Sequence, residues 1–179
     1  PALRDVEKDQ DVYALDVLSS ILDGYDNARL PAALVRQEKV ALAVGASYSA
    51  LSRGPALFVL QGVPSNGVSV DDLEKRLRSE IARIAEEGIS EAELQRVKMQ
   101  LISSQIYKRD SMFGQAMEIG VFEMTGVGHR QIDRTIEKLK AVTPQQVQQV
   151  AKKYFSDDGL TVATLIPEAL PKQAAHEGQ

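Results

Sequence analysis

NARLPAALVRQEKVALAVGASYSALSRGPALFVLQGVP, residues 27–64, runs from a short helix straight into a β-hairpin, and this junction sets the architecture expected of the chain. Asn27 is placed to cap a helix over about residues 28–38. Pro31 is tolerated there because it falls in the first turn, where its missing N–H has no partner to lose. Arg29 and Arg36 both lie on this helix. Residues 39–50 and 56–63 then read as strands. Val40, Leu42, Val44, Ala46 and Tyr48 alternate with smaller residues, the period-two pattern of a half-buried strand. Ser52-Arg53-Gly54-Pro55 supplies the turn between the arms, and Pro64-Ser65-Asn66-Gly67 closes the hairpin region.

Upstream, Val12, Leu15, Leu18 and Leu22, with Ala14 and Ile21 beside them, predict an amphipathic helix over 9–23 that Gly24 terminates. Downstream, Ser69 with Asp72 resembles a capping box. Ser90 with Glu93 and Thr143 with Gln146 match the pattern, and Pro144 sits at a first helical position. Apolar residues spaced by three and four extend these starts into helices over 70–87, 91–109, 112–125, 130–140 and 144–154. The apolar run Leu160–Ile166, LTVATLI, predicts a closing strand, and the tail from Pro167 lacks periodicity. The expectation is a single α+β domain over 1–167 with a flexible tail over 168–179. Segregated helices and strands imply an antiparallel sheet with helices packed on one face. Two long strands and one late strand make a thin sheet. Its completion is expected from strands preceding Pro1 or from a partner.

Composition excludes more than it assigns. A chain of 179 residues suffices for one domain burying roughly two thirds of its unfolded surface. The net charge of −4 and pI near 5.3 leave no electrostatic footprint for nucleic acid or an anionic membrane. Acidic residues flank Lys75, Arg76 and Arg78, which reads as a solvated helix face. With no cysteine, disulfides, thiolate metal sites and a cysteine nucleophile are excluded. No apolar run reaches the roughly 18 residues of a membrane span, and no signal peptide is visible. Pro1 is not a natural initiator, so the expectation is a fragment or a processed product.

Catalytic constellations are missing. His129 and His176 are 47 residues apart, whereas zinc motifs such as H-x-x-E-H need histidines about one helical turn apart. A Ser-His-Asp triad would draw on the same two histidines, and neither a G-x-S-x-G elbow nor a phosphate-binding loop occurs. Carboxylates such as Glu86, Glu87, Glu91 and Glu93 fall on charged helix faces. The chain by itself is therefore expected to contain no catalytic residue and no metal ligand. Arg36 has two readings. It can compensate the C-terminus of its own helix. Alternatively, its planar fork can hold a carboxylate or backbone carbonyls over the sheet edge. From the residues alone the first is preferred.

An arginine-bearing helix entering such a hairpin, with DVLSSILDG before it and EEGISEAELQRVK and AVTPQQVQQVAKKYF after it, resembles the pitrilysin/insulinase family of zinc peptidases, including mitochondrial-processing-peptidase-like proteins. Each phrase alone is a well-capped amphipathic helix; it is their order and spacing, over nearly the whole chain, that carry the resemblance. In that family two similar halves, fused or separate, enclose a chamber. One half holds zinc, and the other lacks it and helps bind the substrate. This chain resembles the zinc-free half. The resemblance implies a zinc-bearing catalytic domain or subunit as partner, zinc as a cofactor of that partner only, and a peptide as substrate. It assigns substrate binding to Arg36. The family's accompanying Tyr, seven residues on, is replaced here by Ala43, and Tyr48 is out of register. Arg29 matches an arginine with a structural role. The alternative implied by the missing Tyr is a scaffold or assembly subunit with no part in proteolysis. A homodimer through an exposed apolar face and a periplasmic location are further expectations.

Overall fold

In the computed structural model, which describes residues 1–166, one helix is the hub of the fold. This is α1 (Gln10–Asp23), in which Val12, Leu15, Val17, Leu18, Ile21 and Leu22 are at most 1% exposed. It packs against β1 (Ala41–Tyr48), α3 (Glu91–Arg109), α5 (Ile132–Lys140) and α6 (Pro144–Tyr154). The apolar pattern predicts burial along one side. The structure surrounds the helix instead, which is the environment suited to a helix that is apolar on nearly every face. Asp9 precedes it without a side-chain cap.

The hairpin forms as expected, with trimmed ends. β1 pairs antiparallel with β2 (Phe58–Pro64), placing Ala43 opposite Val63, Gly45 opposite Gln61 and Ser47 opposite Val59. Val44, Ala46, Tyr48, Phe58 and Leu60 pack on the core. Tyr48 stacks on Phe58 at 6.0 Å between ring centroids, and Phe58 meets the edge of Phe155 at 4.9 Å. Gly62 lies under α2 (Val70–Glu87), where a Cβ would come within 2.9 Å of the Leu73 side chain; the bare backbone lets sheet and helix approach. An isolated hairpin is marginal in water, and here α1 and α2 supply the apolar surface it needs.

The short helix differs from expectation. Residues Pro31–Gln37 are π-helical, closed by the Glu38 N–H donating to the Ala33 carbonyl at 2.8 Å. Asn27 does not cap it; its side-chain oxygen accepts from Arg36. Lys39 then adopts φ 56°, a left-handed conformation unusual for a side-chain-bearing residue, and turns the chain into β1.

The later helices start where their caps predict. Ser90 accepts from the Glu93 N–H at 3.2 Å, but the reciprocal bond is not made because the Glu93 carboxylate is held by Arg29. Thr143 and Gln146 form the complete box, at 2.9 and 3.3 Å. Thr143→Ala is expected to cost about 1 kcal/mol, read as a lower urea midpoint at unchanged slope. α4 spans Met112–Thr125, and α5 is preceded by a single turn of 3-10 helix, His129–Gln131.

One predicted strand is not formed. Residues 160–166 join no ladder, and Leu165 and Ile166 are 91% and 79% exposed. A strand needs a neighbour with unpaired amides in reach, and among the described residues the sheet has only its two strands. The tail expected over 168–179 lies outside the described residues. The outcome is an α+β fold with a two-stranded antiparallel sheet and its helices on one face.

Candidate functional site

The side of the sheet turned away from the helices is uncovered. Ala43, Ser47, Val59, Gln61 and Val63 are exposed there, with Val59 and Val63 at 43% and 51%. Arg36 stands where the chain enters this sheet, in the last turn of the π-helix. Its Nη2 donates to Asn27 Oδ1 at 3.0 Å, a neutral partner. Glu38, two residues on, is engaged elsewhere, with Arg76 at 2.6 Å. Most of the guanidinium's donors are therefore left for solvent or a ligand. The position also suits compensation of the helix C-terminus.

Arg29, on the same short segment, is used differently. Its Nε and Nη2 each donate to one Glu93 carboxylate oxygen at 2.8 Å, and the two side chains are 17% and 15% exposed. This bidentate pair ties the segment to α3, and the bond to Glu93 holds the guanidinium above its ordinary pKa. No local sequence signal announces the pair, because its partners lie 64 residues apart.

The sheet edges are unequal. On β1 the Ala46 N–H donates to Asp23 Oδ2 at 3.2 Å. Further on, the Leu3 N–H donates to the Ala50 carbonyl at 2.8 Å and the Tyr48 hydroxyl donates to the Pro1 carbonyl. The edge of β1 is thus covered in places by the chain itself. Among the described residues, 58–63 of β2 make no backbone bond outside the hairpin. Ala43 sits exposed, offering only a methyl group, opposite Val63. Tyr48 does not substitute for a tyrosine there, since its ring packs on the core and burial raises its hydroxyl well above the usual range.

The described residues do not fit a zinc site. His129 is exposed, with its Nδ1 2.5 Å from Glu123 Oε1, and no group of three His, Asp or Glu is placed to hold a metal among them. His176 lies outside the described residues.

The family model of the peptidase M16 inactive domain matches residues 2–101. The uncharacterized zinc protease YmxG of Bacillus subtilis is 24% identical over 147 residues, covering 82% of this chain and 36% of that protein. The chain thus spans little more than a third of this curated relative. Among solved structures, an inactive peptidase domain from Bordetella parapertussis superposes with TM-score 0.83 at 20% identity, over 97% of this chain and 91% of that one. A protease from Helicobacter pylori gives 0.78 at 20% identity, over 88% of this chain and 37% of its own. These likenesses show the fold, and the matched family is the one the helix phrases resemble. On the residues it matches, this chain belongs to the M16, or pitrilysin/insulinase, peptidase family, as an inactive domain.

Proposed function

We propose that this domain binds substrate and forms one wall of the chamber in a zinc-dependent metallopeptidase acting on peptides, with zinc held by a catalytic domain or subunit outside this chain. The observation that carries the reading is Arg36, charged, exposed and without a carboxylate partner among the described residues, beside an uncovered sheet face. A peptide in extended form can add to a sheet edge through main-chain bonds, which gives affinity tolerant of sequence. The edge of β1 over residues 40–48 is one candidate. Asp23 and residues 1–3 cover parts of it, so the open edge of β2 is the better candidate. Arg36 supplies a charge-assisted anchor to a substrate carboxylate or carbonyl.

A second reading, a scaffold subunit with no part in proteolysis, is favoured by one feature. Ala43 offers no side chain able to reach a substrate.

One experiment separates them. In the peptidase assembled with its zinc-bearing half, Arg36→Ala is expected to lower kcat/KM for peptide cleavage by the equivalent of about 1.5–3 kcal/mol, roughly 10- to 150-fold. Turnover unchanged within about twofold would assign Arg36 to its own helix terminus and favour the scaffold. The zinc content of the assembly, measured alongside, reports whether the catalytic half is loaded.

A further inference from the structure

Between α1, the end of β1, α3, α4 and α5 lies a cavity of about 460 Å3, within the range of about 300–1,000 Å3 usual for small-ligand sites. Val12, Leu51, Val121, Phe122 and Ile136 give it apolar walls. It is separate from Arg36 and from the uncovered sheet face.

Its polar lining comprises Asp16, Glu118, Gln105, Lys108 and the hydroxyls of Tyr13, Tyr48, Ser49 and Thr135. Asp16 of α1 lines it, and among the described residues no side chain or amide donates to the Asp16 carboxylate. Gln105 of α3 also lines it, with a buried Oε1 that has no hydrogen-bond partner. Glu118 of α4 adds a second carboxylate, and Lys108 of α3 is the one cation on its wall. The Tyr13 and Tyr48 hydroxyls are already donating, to the carbonyls of Val6 and Pro1. The buried Gln105 Oε1 is costly to leave unsatisfied and calls for a donor, and the half-buried Asp16 carboxylate receives none from the protein. An apolar cavity with two carboxylates, one ammonium and an unpaired amide oxygen selects a ligand that brings cationic N–H groups on an apolar body.

We propose that this cavity is a binding site for a primary alkylammonium group carried on an apolar chain, with Asp16 accepting from the ammonium and Gln105 completing its shell. Burial raises the Asp16 carboxyl to about 6, only partly offset by Lys108, and a bound cation removes the cause of that rise. The titratable groups that line the cavity with Asp16 are Lys108 from α3, Glu118 from α4, and Tyr13 and Tyr48 from α1 and β1, while α5 contributes the uncharged Thr135.

The test is calorimetric titration of the full chain at pH 7.5 with octylamine, octanol and octanoate, which share one apolar body and differ in the head group. Octylamine is expected to bind at least about tenfold more tightly than octanol, the margin of a charge-assisted hydrogen bond, with octanoate weakest. Asp16→Asn is expected to make octylamine and octanol equal. Met117→Trp, at the partly exposed α4 wall, is expected to weaken both together. The octylamine margin should also shrink from pH 7.5 to pH 5. Equal binding of octylamine and octanol by the native chain, preference for octanoate, or no binding of any of the three overturns the proposal. The comparison of the three probes on the native chain stands even where a variant fails to fold.

Discussion

Arg29→Ala is expected to destabilise the fold by about 3 kcal/mol or more, the loss seen when one member of a largely buried ion pair is removed. The cost comes less from the lost attraction than from what is left behind. Glu93 is only 15% exposed, and without Arg29 its two oxygens lose both donors at once. Glu80, 5% exposed and close enough to act on Arg29 through its charge, loses that compensation as well. Glu93→Ala is expected to cost a similar amount by stranding the guanidinium. The N-cap of α3 is not at stake in that variant, because Ser90 accepts from the backbone N–H of residue 93 and not from its side chain. The double variant Arg29→Met with Glu93→Leu should recover much of the loss, since apolar residues of similar volume can replace such a pair at little cost. Urea unfolding followed by circular dichroism reads all three. A loss below about 1 kcal/mol for each single variant would place the pair among ordinary surface contacts and remove its role in anchoring the π-helical segment to α3.

The features that were legible in the sequence are those decided within a few residues. Ser69, Ser90 and Thr143 each accept from the backbone three residues on, and the helices begin there. The alternation of β1 from Val44 to Tyr48 and its turn to β2 are equally local, but Leu42, expected on the same face, is 65% exposed because the ladder is irregular between Ala41 and Ala43. The departures all come from neighbours distant in sequence. α1 reads as amphipathic because a pattern cannot say how many elements surround it, and four of them do. The π-helical closure at Ala33 and Glu38 follows from the chain having to reverse at Lys39 and enter β1. LTVATLI has the composition of a strand, but a strand is a property of two partners, and among the described residues the second is missing.

For the candidate site the limit is sharper. Arg29 and Arg36 look alike on the page, seven residues apart on one short helix. What separates them is Glu93, from another helix, which takes Arg29 and leaves Arg36 with the amide of Asn27. The family resemblance implies different roles for the two arginines, and the structure gives them different partners. Asp16 gave no signal at all, as a single acid inside an apolar helix with no partner nearby in sequence.

Asp16→Asn is expected to stabilise the protein, by up to about 3 kcal/mol at neutral pH. Burial among apolar side chains raises the Asp16 carboxyl from its ordinary 3.8 to about 6. An acid whose pKa is raised on folding binds its proton more tightly in the folded state than in the unfolded one. Its effect is therefore absent below about pH 4, where both states are protonated. Stability is lost as pH rises from about 4 to about 6, and the full cost stands above that. A rise of about 2 units corresponds to about 3 kcal/mol at 1.36 kcal/mol per unit. Asparagine keeps the shape and carries no charge, so the gap between variant and parent should open across the same interval and be flat on either side. Urea midpoints from pH 3.5 to 7.5 measure it. A gap independent of pH would show that the carboxylate is solvated in the folded protein. The same series bears on the cavity. A carboxylate that costs stability in the free protein and gains a cation on binding should show a smaller gap in saturating octylamine, because the ligand stabilises the parent and not the variant through the charge.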